Sequence, residues 1–274
     1  MDTERRCVRQ PLSKQPLALV LIQLRYTPIN AVDTKINDIQ EILRKDFPLY
    51  ERLENISVSV SPEGLQQNKI DLASFSSIEG YENILLDKNQ ITFQVTDYSD
   101  FESFYDKFEK TLASIDSILK LQEYGVYTRC GLRYVDQIIP LDNNDTIDSY
   151  LNENFIITQP PVFKNQKKIC TVGVAGNIEL TENKKGAMSV NIYQGQKGLV
   201  LPPDLITRTP QLKRDASQSE RIGLIDMDAS FTPAPTPEKY NRETVKEIFY
   251  RLHDNIITSF FDSIVSEEGI KKWK

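Results

Sequence analysis

The sequence contains little of what most enzyme active sites and metal centres are built from. Its 274 residues include one histidine, His253, one tryptophan and three cysteines. The cysteines Cys7, Cys130 and Cys170 are odd in number and have no CxxC spacing, which argues against a disulfide framework and fits a reducing cytoplasm. A zinc site would need a second histidine or paired cysteines, and no GxSxG or P-loop motif occurs. No catalytic residue is therefore assigned, and His253 is predicted to serve packing.

Long apolar runs are also missing. No stretch approaches the ~20 residues needed to span a bilayer, so we expect no membrane partner. The first 15 residues carry charge but no apolar core, so we expect a mobile N-terminal arm over residues 1–15 and not a secretory signal. Hydrophobic residues make up 39% of the chain and charged residues 26%, as in ordinary soluble globular proteins.

The charge balance is acidic overall but uneven along the chain. The formal net charge of −6 disfavours nonspecific binding to nucleic acid, which rests on neutralising phosphates. Residues 164–221, however, hold ten basic and five acidic side chains, a local charge of +5. That segment is interpreted either as a solvated hairpin and loop or as a nucleic-acid-binding surface.

The first half, residues 16–140, alternates strand-like and helix-like patterns. Leu17–Tyr26 is short and apolar, as expected of a buried strand, and a second such strand ends near Pro140. Between them, three strands are predicted between two amphipathic helices. The resulting order, β-α-β-β-β-α-β, predicts a ferredoxin-like unit once one hairpin strand is set aside.

The second half, residues 141–274, is predicted as a small leading helix followed by β-β-β-α. A hairpin turning at Asn183–Gly186 precedes a long polar loop, Leu201–Ser219, and a further strand. The last helix carries its apolar residues on one face. Together the halves predict an α+β fold, with an antiparallel sheet covered on one face by long amphipathic helices. We expect one continuous unit or two docked subdomains.

The motif Leu-Arg-Tyr occurs twice, and each copy places an arginine inside an apolar strand. Strand alternation puts Arg25 and Arg133 on the sheet face away from the helices, and Arg129 lies on the face of Arg133. An arginine there must be solvated, paired with a carboxylate or used to grip an anion. The candidates for ligand or partner binding are therefore Arg25, Arg129 and Arg133.

Two further groups extend this list. Asp226 and Asp228 share one strand face in "GLIDMD", where they either pair with the arginines or hold a divalent cation such as magnesium. Lys184 and Lys185 lie at the hairpin turn of the basic segment and are the remaining binding candidates. Apart from that divalent cation, no cofactor is predicted.

Several motifs together resemble a known family. The stretches "LVLIQLRY", "RCGLRYVDQI", "GLIDMD" and "LHDNIITSFFDSIVSEEGIKKW" are similar to the sporadically distributed family of uncharacterised bacterial proteins of similar length. The resemblance spans Leu17–Trp273, except for Pro202–Ser219. It implies no enzyme activity and no catalytic residues. Patchy distribution implies horizontal transfer, which is common among genome-defence, including phage-defence, and toxin–antitoxin genes.

Two functions remain open from the sequence. The first is a non-catalytic binding or regulatory protein of the bacterial cytoplasm that acts through a protein partner. The second is a nucleic-acid or nucleotide-binding protein, extending to a metal-dependent nuclease, which rests on the arginines, the basic segment and the Asp226–Asp228 pair. A homo-oligomer is compatible with either function.

Overall fold

The computed structural model gives the arrangement of most of the chain. The described residues are 12–61, 64–142, 144–156, 170–196, 198–205, 209–214 and 216–274. The helices among them are α1 (Val32–Leu43), α2 (Phe101–Leu119), α3 (Leu121–Tyr124), α4 (Arg242–Ser259) and α5 (Glu267–Trp273). The strands are β1 (Leu17–Tyr26), β2 (Leu49–Ser61), β3 (Gly64–Ser76), β4 (Glu82–Leu86), β5 (Gln90–Val95), β6 (Val126–Ile138), β7 (Cys170–Thr181), β8 (Lys184–Gln196), β9 (Arg221–Phe231) and β10 (Glu238–Lys239).

The strands form one antiparallel sheet that runs through both halves of the chain. Its order is β2-β3-β4-β5-β1-β6-β9-β8-β7, and β10 pairs with β6 beside this path. The central strand β1 lies between β5 and β6, and β6 in turn pairs with β9 from the second half. The predicted α+β fold with an antiparallel sheet is therefore confirmed.

The sheet is larger than predicted because the first half contributes an additional strand. Four strands separate α1 from α2, whereas the sequence predicted three. The missed element is β3, which pairs with β2 in a hairpin and alternates few apolar residues, so that its period-2 signal is weak. The other two strands between the helices are β4 and β5, which are joined by a turn between Leu86 and Gln90.

The second half follows its predicted order with three differences. The leading helix is two short 3-10 turns, Ile147–Tyr150 and Glu153–Phe155. The two-residue strand β10 was not predicted. The last helix ends at Ser259 and passes through a π-helical turn before α5, whose Trp273 is buried.

The core lies between the helices and one face of the sheet. The apolar residues of β1 and β6 that face the helices, such as Ile22, Leu24 and Leu132, are fully buried. Phe108 of α2 and Phe249 of α4 complete this cluster with their rings in edge-to-face contact. No helix in the described ranges is long and apolar enough to cross a membrane.

The predicted N-terminal arm lies mostly outside the described residues, as do residues 164–169 of the basic segment. The last residues of the arm contact the C-terminal helix. The backbone N–H of Lys14 donates to the carbonyl of Trp273 at 2.9 Å, and Leu12 is buried.

Candidate functional site

The face of the sheet opposite the helices carries the predicted arginines. Arg25 of β1 and Arg129 and Arg133 of β6 all lie there, because their neighbours Leu24 and Tyr134 are buried in the helix-side core. We call this surface the open face. The alternation inferred from the two Leu-Arg-Tyr motifs is confirmed at both strands.

Arg133 is held by two carboxylates. Its Nε and Nη2 donate to the two oxygens of Asp226 at 2.7 and 2.9 Å. Its Nη1 and Nη2 also donate to Asp204, at 2.6 and 3.1 Å. The Arg133 side chain is 13% exposed and that of Asp226 is 2% exposed, so this contact is a buried bidentate ion pair.

The pKa values of this group follow from burial and pairing. Burial lowers the pKa of Arg133, but the hydrogen bonds and charges of Asp226 and Asp204 outweigh it and raise the pKa above its usual value. Burial raises the pKa of Asp226, and the Arg133 guanidinium opposes that rise. Hydrogen bonding to Arg133 lowers the pKa of the exposed Asp204. The group therefore functions as an ion-pair cluster that fixes Arg133.

Asp204 comes from a segment that the sequence predicted only as a polar loop. Leu201 and Leu205 on either side of it are buried against Leu19 and Val135 of the open face. The described parts of this loop therefore cover one end of the open face and place an aspartate on Arg133. Local sequence gives no signal for this contact, since the two residues are 71 positions apart.

Arg129 depends on a glycine beside it. Its guanidinium lies across Gly131, where a Cβ atom would come within 2.3 Å of Nη1. From there Nη1 donates to Gln23 Oε1 at 2.9 Å, and Nη2 lies 3.4 Å from Asp228. Burial raises the pKa of Asp228, and Arg129 and Arg133 oppose the rise. Gly131 therefore permits the position of Arg129.

Arg25 is placed directly opposite Arg129 in the register of β1 and β6. Its Nε donates to Gln23 Oε1 at 2.8 Å, and it makes no ion pair within the described part of the chain. Burial and then the nearby charge of Arg129 lower the pKa of Arg25. Like charges directly opposite each other on a sheet are destabilising. The charges of Asp87 and Asp228 oppose the lowering of the Arg25 pKa, so two guanidinium groups and two carboxylates share this end of the open face.

Gln23 links these arginines to the neighbouring strand. Its Oε1 accepts from both Arg25 and Arg129, and its Nε2 donates to Gln90 Oε1 and Thr92 Oγ1 at 3.2 Å each. Gln23 was not among the binding candidates predicted from the sequence. A glutamine in an otherwise apolar strand was the available signal.

These side chains line a groove of about 410 Å³ on the open face. Arg25, Arg129 and Asp228 lie along it with a row of polar residues of β5, and Leu72 and Leu85 form an apolar wall. Arg133, Asp204 and Leu205 also line it. The structure thus brings together the three predicted arginines and the predicted aspartate Asp228.

The two lysines are placed elsewhere. Lys184 donates to both oxygens of Glu238, at 2.8 and 3.1 Å, and lies over the Phe231 ring, which belongs to the helix-side core. Lys185 lies 3.6 Å from Glu179 at an exposed position. Lys184 therefore lies on the helix side, whereas Lys185 lies on the open-face side of β8 but does not line the groove.

The pair Asp226 and Asp228 shares a strand face, as predicted, but each carboxylate contacts an arginine. Both oxygens of Asp226 accept hydrogen bonds from Arg133. No group of three or more His, Cys, Asp or Glu side chains within the described ranges is arranged to hold a metal ion. The divalent-cation interpretation of this pair stays a prediction.

His253 lies on the helix side of the sheet, away from the groove. Its ring stacks on Phe101 with centroids 3.9 Å apart, and Nδ1 is hydrogen-bonded to the Tyr134 hydroxyl at 2.9 Å. Burial lowers the pKa of His253 to about 4, so the ring is neutral at pH 7. Its position and contacts are those of a packing residue.

A scan of the chain against models of known protein families finds no match, and a search of curated proteins finds none either. The resemblance to the sporadically distributed family therefore stays a prediction that rests on the quoted motifs.

Proposed function

We propose that this protein is a non-catalytic binding or regulatory protein of the bacterial cytoplasm, and that a protein partner docks on its open face. The observation that carries the proposal is the apposition of Arg25 and Arg129 at the groove. Two guanidinium groups side by side are unfavourable for the isolated chain, and become favourable when an anionic group lies between them.

The chemistry of the groove supports binding more than catalysis. Arginine stays protonated at physiological pH, so Arg25 and Arg129 hold an anion and do not transfer a proton. Gln23, Gln90 and Thr92 add neutral hydrogen-bonding groups that fix orientation. Asp228 is the groove carboxylate next to Arg129, and that arginine holds it in place.

A second candidate function is the binding of a nucleotide or nucleic acid. Phosphate suits paired guanidinium groups as well as carboxylate does, and this favours the candidate. A metal-dependent nuclease would further require Asp226 or Asp228 to bind a metal ion in place of its present arginine partner. Neither Lys184 nor Lys185 lines the groove, and this limits the basic surface that a nucleic acid could follow there. The defence context stays an expectation from the family resemblance.

We also propose that the first half is a ferredoxin-like unit with an inserted hairpin. The strand order β4-β5-β1-β6 and the chain positions of α1 and α2 support this interpretation. The inserted hairpin is β2–β3, which extends the sheet beyond β4. In this arrangement the groove lies over the four strands of the unit and its border with β9.

The test is native mass spectrometry of the protein purified from its own host, before and after nuclease treatment. We expect the wild type to retain a protein that survives nuclease and that Arg25→Gln and Gly131→Ala lose. Gly131→Ala displaces the Arg129 guanidinium without removing it. Gly176→Ala is the matched control, because a Cβ atom there meets nothing within 4 Å.

Each result has a definite meaning. A partner that both groove variants retain would contradict docking on the open face. A bound nucleic acid or nucleotide that nuclease or high salt removes, and that Arg25→Gln abolishes, would replace the protein partner by the second candidate.

A further inference from the structure

The groove contains a buried acceptor without a donor. Gln94 of β5 is 3% exposed, and its Oε1 has no hydrogen-bond partner within the described part of the chain. Its neighbours along the strand, Gln90 and Thr92, both receive hydrogen bonds from Gln23. An unsatisfied buried carbonyl costs about 1–3 kcal/mol, so such a group calls for an explanation, and a ligand that donates to it is one.

The Gln94 acceptor and the pair Arg25 and Arg129 lie at opposite ends of the groove, whereas Arg133 lies at the Gln94 end, across Leu21. Arg25 pairs with Gln90 in the register of β1 and β5, and Gln94 is four residues further along β5. At about 3.3 Å per residue the two ends are roughly 13 Å apart. Leu85 is opposite Thr92, midway between these two positions, and Leu72 lines the same groove. A ligand that reaches both ends is therefore elongated, with an anion at one end and a hydrogen-bond donor at the other.

The same sheet face already holds one segment of this chain in a similar way. The Asp204 carboxylate accepts from Arg133, while Leu201 and Leu205 pack on Leu19 and Val135. An arginine and an apolar surface on the open face thus bind an acidic residue flanked by leucines. The groove repeats this combination with Arg25, Arg129 and the leucine wall.

We infer that the groove binds an extended acidic peptide segment of a protein partner. An Asp or Glu carboxylate of that segment lies between Arg25 and Arg129. Apolar side chains of the segment pack against Leu72 and Leu85, and a backbone N–H donates to Gln94 Oε1. This inference rests on the proposed function, because it names the ligand of the same surface.

The test is fluorescence anisotropy with labelled synthetic hexapeptides. The probes share the pattern Asp-Ser-Leu-Ser-Leu-Ser, in which acid and leucines point to one side of an extended chain, with the serines varied across a panel. Control peptides carry Asn in place of Asp. A six-nucleotide oligothymidylate and inorganic phosphate serve as the phosphate probes.

We expect the acidic peptides to bind wild type at least tenfold more tightly than the Asn controls, as a charge-assisted pair requires. Arg25→Gln should weaken binding of the acidic peptide about tenfold or more. Gln94→Leu, which removes the acceptor and keeps the arginines, should weaken it about fivefold for both acidic and Asn peptides. Gly176→Ala should bind as wild type does.

Equal affinity for Asp and Asn peptides, or no peptide binding across the panel, would overturn the inference. Binding of the oligonucleotide or phosphate alone, lost in Arg25→Gln, would also overturn it, yet would keep the open face as the binding surface. The proposed function itself fails if both groove variants keep the partner purified from the host, or if that partner is a nucleic acid or nucleotide. These outcomes come from the native preparation and not from the peptide panel, so the two failures are distinguishable.

Discussion

The two faces of strands β1 and β6 are stabilised in different ways. On the helix face, Ile22, Leu24 and Leu132 are fully buried in one apolar cluster. On the open face, Gln23 and Arg133 occupy the intervening positions in a hydrogen-bonded ionic network. Apolar side chains can pack against many different apolar neighbours, whereas a buried charged side chain requires an oppositely charged or hydrogen-bonding group at a specific position. On the open face, therefore, we expect some single substitutions to change the free energy of unfolding and others to change only the binding of a partner.

The largest expected effect is the loss of the buried ion pair. Arg133→Met leaves the buried Asp226 without its guanidinium, and we expect the free energy of unfolding to fall by about 3–5 kcal/mol at pH 7. Urea denaturation measures this change in the free energy of unfolding. The double variant Arg133→Met with Asp226→Leu should recover most of the loss, because no buried charge remains. A loss below about 1 kcal/mol in the single variant would show that the pair is not buried in solution.

The next effect concerns a buried carboxyl on the helix face of β6. Burial raises the pKa of Asp136 to about 8, with Arg214 opposing, and its Oδ2 has no hydrogen-bond partner among the described residues. In the unfolded chain the pKa of an aspartate is about 3.9, so between about pH 3.9 and 8 the folded state binds more protons than the unfolded state. The stabilisation is complete below about pH 3.9 and is lost as the pH rises towards 8. The wild type should lose about 1 kcal/mol per pH unit between pH 6.5 and 8.

The matched variant is Asp136→Asn, which should show a flat profile over the same range. The lowered pKa of His253 affects stability only between about pH 4 and 6.5, where stability falls as the pH falls, so it does not interfere. Urea denaturation at pH 6.5, 7, 7.5 and 8 compares the two proteins. Parallel profiles for wild type and variant would contradict the account of Asp136.

The helix face was predictable from sequence and much of the open face was not. Period-2 alternation identified β1 and placed its arginine opposite the helices, because that information is local. Asp204, however, reaches Arg133 across 71 residues from a loop with no periodic pattern. Gln94 gave no signal either, since its unsatisfied oxygen depends on what surrounds it in three dimensions. Local sequence patterns do not predict which distant residues contact a buried polar group.

A smaller effect separates the two predicted lysines. Lys184→Ala should cost about 1 kcal/mol of unfolding free energy, because its ammonium contacts Glu238 and the Phe231 ring. Lys185→Ala should change it by less than about 0.5 kcal/mol, since Lys185 and Glu179 are both exposed. Thermal unfolding of both variants tests this contrast, and an equal or larger cost at Lys185 would refute it.

We propose that Arg25 and Arg129 serve to bind a partner, whereas Arg133 serves to stabilise the fold. The most direct test is the unfolding free energy of Arg25→Gln measured in urea beside that of Arg133→Met. We expect Arg25→Gln to lie within about 0.5 kcal/mol of wild type, because the repulsion by Arg129 that it relieves offsets the attraction to Asp87 and Asp228 that it loses. A loss of about 2 kcal/mol or more would instead make Arg25 a structural residue and contradict the claim.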